Sequence, residues 1–77
     1  MPQVRDCRRR DGSMEDMPLV TVKVGDLVGF KSDIEQHGVI TKIDGDQLHL
    51  HNDKGFGGEY LRFAKDTIEH ASDCWID

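Results

Sequence analysis

Apolar positions along this chain fall into short runs with a two-residue period, the signature of strands that bury one face. Leu19-Val20-Thr21-Val22-Lys23-Val24 is β-branched and alternating, and reads as a strand or extended lead-in. Gly25-Asp26 marks a turn, and Leu27-Val28-Gly29-Phe30-Lys31 a second strand with Val28 and Phe30 on its core face. Gly38-Val39-Ile40-Thr41-Lys42-Ile43 is the next strand. Ile40 and Ile43 stand three apart, so both face inward only if a bulge or strong twist lies between them. Asp44-Gly45-Asp46 is the clearest hairpin turn, and Asp-Gly favours type I′. In Gln47-Leu48-His49-Leu50-His51 the two leucines point one way and the two histidines the other.

Three stretches read less simply. Ser32-Asp33-Ile34-Glu35 has the spacing of a capping box and predicts one helical turn or a tight loop. Residues 52–58 are rich in glycine and turn formers and predict a flexible loop. Leu61, Ala64, Ile68, Ala71 and Trp75 follow a helical stripe, but Asp66-Thr67 in its middle are weak helix formers. The favoured reading is a short strand at Tyr60-Leu61-Arg62-Phe63, a helical turn starting at Asp66-Thr67-Ile68-Glu69, and a terminal strand at Trp75-Ile76. Phe63 and Trp75 are then core residues and Tyr60 a surface one. Residues 1–18 are polar and lack an apolar period, so they read as a disordered leader before a domain over 19–77.

Charge changes this picture. The leader balances four arginines against four acids, whereas 19–77 carry six basic and eleven acidic groups, which puts the whole net charge of −5 on the domain. An acidic domain is poorly matched to phosphate backbones and better matched to a basic protein surface. A chain of 77 residues builds one modest core and few deep pockets, which favours a binding module over an enzyme. No apolar run reaches the roughly 18 residues of a membrane span, and no signal-peptide pattern opens the chain, so a cytoplasmic protein is expected. Cys7 and Cys74 lack zinc-ligand spacing; Cys7 reads as an exposed thiol in the leader and Cys74 as a small core residue.

Val24-Gly25-Asp26-Leu27-Val28, then Gly38-Val39-Ile40-Thr41-Lys42-Ile43, then Gly45-Asp46 and Leu48-His49-Leu50, resemble the SH3-like barrels of the KOW and Tudor type. The resemblance implies a mainly β fold, a small SH3-like barrel of about five strands with one or two short helical turns. The competing architecture is a three- to four-stranded sheet with a C-terminal helix. KOW barrels meet ribosomal RNA or transcription complexes through basic loops, whereas the matching loop here holds Asp33 and Glu35. The Gly55–Tyr60 stretch and the Asp73-Cys74-Trp75-Ile76-Asp77 end are loosely similar to small proteins of tailed bacteriophages.

Candidate chemistry is sparse. His49 and His51 share a strand face and could contribute two ligands to a metal, but a site needs more, from His37, His70 or a carboxylate. The Gly55-Phe56-Gly57-Gly58 loop lacks the Lys-Ser/Thr of a phosphate-binding loop. Phe56, an aromatic between glycines, is either an outward-facing partner anchor or a cover for one end of the barrel, with Tyr60, Glu59, Asp33 and Glu35 completing the candidate partner surface. No carboxylate pair has the spacing of an acid–base couple, no serine or cysteine has an evident base partner, and no cofactor is expected. The expected function is a non-enzymatic protein-interaction module, which the phage likeness would make an accessory protein acting on a host or viral protein. The alternative is a KOW-like protein associated with nucleic acid or ribosomes through Arg8, Arg9 and Arg10.

Overall fold

The computed structural model describes residues 4–9, 19–32 and 34–76. Its strands are β1 (Val4–Arg9), β2 (Leu19–Lys23), β3 (Leu27–Lys31), β4 (Glu35–Asp44), β5 (Gln47–His51), β6 (Asp66–His70) and β7 (Cys74–Ile76), with one 3-10 turn at Ala71–Asp73. All seven lie in one sheet, in the order β2-β1-β7-β3-β4-β5-β6. Neighbours run antiparallel except β1 and β7, which are parallel. The mainly β class holds. The edge strands β2 and β6 do not pair, so the sheet is not closed into a barrel, which corrects the expected closed barrel of fewer strands. Among the described residues no helix is long and apolar enough to cross a membrane.

β1 lies inside the segment read as a disordered leader, so that reading fails for Val4–Arg9; residues 10–18 lie outside the described ones. Among its described side chains only Cys7 is buried, so no hydrophobic period announces it. It forms because its backbone groups are met on both flanks, by β2 and by β7. Cys7 is correspondingly 1% exposed, not a tail thiol.

The hairpin series from β3 to β5 carries the core. β4 pairs with β5 in register up to Ile40↔Leu50 and resumes at Lys42↔His49, leaving Thr41 as the extra residue of a bulge. The bulge resets the alternation, and Ile40 and Ile43 both become buried. The β4–β5 turn differs from expectation. Asp44 pairs with Gln47, so the two loop residues are Gly45 and Asp46, and of these Gly45 has a positive φ of 61°. Glycine at the first loop position is the pattern of type II′, not type I′. β4 starts at Glu35, so Glu35, Gln36 and His37 are strand where a helical turn or tight loop was expected, and the Ser32 hydroxyl accepts from Gln36 Nε2 at 2.8 Å instead of capping a helix.

The C-terminal third also departs from expectation. Residues 60–63 form turns, and Asp66–His70 form β6, paired with β5 along its whole length. β-branched Thr67 and Ile68 suit that edge position better than a helix. The terminal strand is present as β7. Phe63, expected in the core, is 81% exposed, and Trp75 is half-buried. Trp75 pairs with Gly29, which alternates with core-facing Val28 and Phe30, so its indole covers the outer face of the sheet. The sheet curls enough for Arg5 of β1 to form an ion pair with Asp46 of the β4–β5 turn, whose carbonyl also accepts from the Ala71 amide at 2.7 Å.

Candidate functional site

The long connection between β5 and β6 is tied along its length by hydrogen bonds. His51 and Asp66, paired in register, close its neck. His51 Nδ1 meets Asp66 Oδ1 and His51 Nε2 meets Asp53 Oδ1, each at 2.7 Å. The Asn52 amide donates to Lys65 O at 2.8 Å, and the Asn52 side chain donates to His37 O at 3.1 Å. Higher up, Phe56 N donates to Ala64 O at 2.7 Å and Ala64 N to Leu61 O at 2.9 Å.

Phe56 fastens the loop to the core. It is 4% exposed and packs edge-on against Phe30, ring centroids 5.4 Å apart. Gly38 leaves it room, since a Cβ there would come within 3.2 Å of the ring. Beside it, buried Gln36 accepts from the Gly57 amide at 2.7 Å. Phe56 is therefore a cover over the core, the second of the two roles its glycine neighbours left open, and not the outward anchor. In a small domain, burying a whole phenyl ring under a polar loop outweighs displaying it.

What the loop displays instead is Tyr60, 87% exposed, and Phe63, 81% exposed. Phe63 is the one non-glycine among the described residues with a positive φ, at 66°. A left-handed conformation costs a bulky L-residue about 1–2 kcal/mol, and here it accompanies an aromatic held in solvent. The Arg62 guanidinium lies 5.1 Å from the Phe63 ring centroid. Ser32, Tyr60, Leu61 and Glu69 line a shallow concavity of about 400 Å³ beside this tip.

Of the predicted partner residues, Tyr60 and Glu59 are exposed on this loop. Glu35 is exposed at the start of β4, next to the Gln36 that holds Gly57. Asp33 lies outside the described residues. Sequence reasoning weighed Phe63 with Tyr60 and Trp75 as an aromatic groove but favoured the core for it, and it passed over Arg62. Their spacing resembles a strand or helix stripe, and only the backbone conformation turns Phe63 outward.

His49 and His51 do share the outer face while Leu48 and Leu50 are buried, but both ring nitrogens of His51 are engaged by carboxylates. Among the described residues no group of three or more His, Cys, Asp or Glu is arranged to hold a metal ion. The hydrogen bond to Asp66, then that to Asp53, raises the His51 pKa above its ordinary value. Ser72, read as lacking a base partner, has His70 Nδ1 2.7 Å from its hydroxyl. The Ser72 amide donates to the same nitrogen at 3.2 Å, so the contact caps the 3-10 turn. His70 Nε2 is 4.0 Å from Asp46. Burial pushes the Cys74 thiol up to about 12 and raises Cys7 as well, which keeps both protonated.

Comparison with protein-family models, with curated proteins and with solved structures finds no match to this chain.

Proposed function

We propose that this chain is a non-enzymatic protein-interaction module that docks a partner through the tip of the loop between β5 and β6, with Tyr60 and Phe63 as anchors. The observation that carries the reading is Phe63, a non-glycine in left-handed backbone whose ring stays 81% exposed. The neck hydrogen bonds and the buried Phe56 hold the loop before any partner arrives, so little ordering cost falls on binding. Rigid aromatics of this kind are common binding hot spots. The acidic balance of residues 19–77, with Glu59 next to Tyr60 in the loop, favours a partner with a basic surface.

The architecture supports an SH3-like lineage as part of the proposal. β3, β4, β5 and β6 form an antiparallel meander, the 3-10 turn follows, and β7 returns to pair with β3. The β1–β2 hairpin is then an addition on the far side of β7. The loose phage likeness points to a host or viral protein as the partner.

The test is affinity capture with the full chain beside a Tyr60→Ala/Phe63→Ala double variant of unchanged thermal midpoint. A protein captured by the parent, lost by the variant, and bound more weakly as salt rises supports the reading. Identical capture by both chains overturns it. So does salt-dependent capture of nucleic acid that needs Arg8, Arg9 and Arg10, which would favour the KOW-like alternative.

A further inference from the structure

We propose that Cys7 and Cys74 are a disulfide-forming pair, an intramolecular cross-link site that staples β1 to β7. The parallel register pairs Arg8 with Trp75 and Arg9 with Ile76. One step back along both strands sets Cys7 opposite Cys74. Side chains alternate, so both thiols leave the face that carries Arg8 and Trp75 and enter the core, where each residue is 1% exposed. Neighbouring strands lie about 4.8 Å apart, inside the Cα separation of roughly 4.4–6.8 Å that a disulfide accepts. Charge on Cys7 contributes to the raised pKa of Cys74, which accords with this proximity.

The position gives the cross-link something to do. The β1–β7 seam has two register pairs and β7 only three residues, whereas β1 and β2 share five pairs. The seam is also where the N-terminal hairpin joins the rest of the sheet. A bond there closes nearly the whole chain into one loop, the arrangement that most restricts the unfolded state.

Both sulfurs are free thiols in the structure. Their cross-linking needs a two-electron oxidant, here a low-molecular-weight disulfide. With the seam open, the Cys7 thiolate attacks one sulfur of the oxidant and forms a mixed disulfide, releasing the first small thiol. The Cys74 thiolate then attacks the Cys7 sulfur and releases the second. The two protons lost by the cysteines end on the two small thiols, and the oxidant is reduced as the pair is oxidised. Because burial keeps both thiols protonated in the closed sheet, the exchange proceeds during folding or transient opening of the seam.

The experiment refolds the full chain in oxidised glutathione and follows intact mass, free thiols and thermal midpoint. Expected are a monomer that has lost two hydrogens, no free thiol, no glutathione adduct, and a midpoint several degrees higher that falls back on reduction. Proteolysis should yield one linked peptide containing both cysteines. A folded monomer that keeps two free thiols, carries glutathione on both cysteines, or links only between chains overturns the proposal. Cys7→Ala serves as a control, expected to show no rise in midpoint in oxidised glutathione, and the same rise as in the parent overturns the proposal. Should it fail to fold, the linked-peptide map of the parent decides alone.

Discussion

Gly29 and Trp75 face each other across β3 and β7, with the indole laid over the bare glycine. A Cβ on residue 29 would come 2.6 Å from Trp75 Cε2, closer than real contacts allow. Gly29→Ala therefore forces the indole off the sheet and is expected to cost about 1–3 kcal/mol, the range of an overpacked site. Trp75 is the single tryptophan, so its fluorescence reports on this site alone. Urea unfolding should show a lower midpoint together with a red-shifted native emission. An unchanged midpoint and spectrum would mean that the glycine is not needed there.

Phe56 and Tyr60 sit four residues apart on one loop and should behave oppositely. Phe56→Ala removes a ring packed on Phe30, with an expected loss of about 3–5 kcal/mol in chemical denaturation. Tyr60→Ala removes a ring already in water and should stay within about 0.5 kcal/mol of the parent. Equal losses at the two positions would contradict the burial of Phe56.

Phe63 gives a test of sign. At most positions alanine is more stable than glycine, because glycine loses more backbone freedom on folding. At a φ of 66° the order should invert, since alanine keeps the left-handed strain and glycine releases it. Phe63→Gly is expected to exceed Phe63→Ala by about 1 kcal/mol in a thermal or urea melt. The ordinary order, alanine above glycine, would remove the strained conformation and with it the main support for the docking tip.

His51 makes the loop neck pH-dependent. Its pKa is raised by Asp66 first and Asp53 second, so the folded state holds the proton to higher pH than the unfolded chain. The stabilisation is fully present below the ordinary histidine value of about 6.5 and is lost as pH rises through the folded value. An NMR titration should place the His51 midpoint above that ordinary value. Asp66→Asn should lower it further than Asp53→Asn. A midpoint at or below the ordinary value would show that the two carboxylates do not hold the ring.

Much of the hairpin series was legible because its physics is local. Val28 and Phe30 stand two apart on one strand face, Leu48 and Leu50 alternate with Gln47, His49 and His51, and each of the four is buried as that period requires. The bulge between Ile40 and Lys42 was foreshadowed by two isoleucines that could not otherwise share a face. The turn type was not legible, because Asp-Gly and Gly-Asp registers differ by one step that only strand pairing selects. The candidate site was half legible. Tyr60 was placed on the surface from its chemistry, but Phe63 was assigned to the core and Phe56 was left between an outward anchor and a cover. Each is an aromatic beside small or flexible residues, and which one fills the space above Phe30 depends on how the loop folds back at Gln36 and Gly57.

The sequence by itself determined the strand character of residues 19–31 and 38–51 between their turns, the acidic balance of the domain and the inward faces of its hairpins. These follow from side-chain period and charge, which need no knowledge of distant partners. The tertiary structure decided the rest. It recruited Val4–Arg9 as a strand, left the sheet open, turned Phe63 outward and set Cys7 beside the register position of Cys74. Each of these rests on contacts between segments remote in the chain, where backbone hydrogen bonds and burial outweigh local propensity.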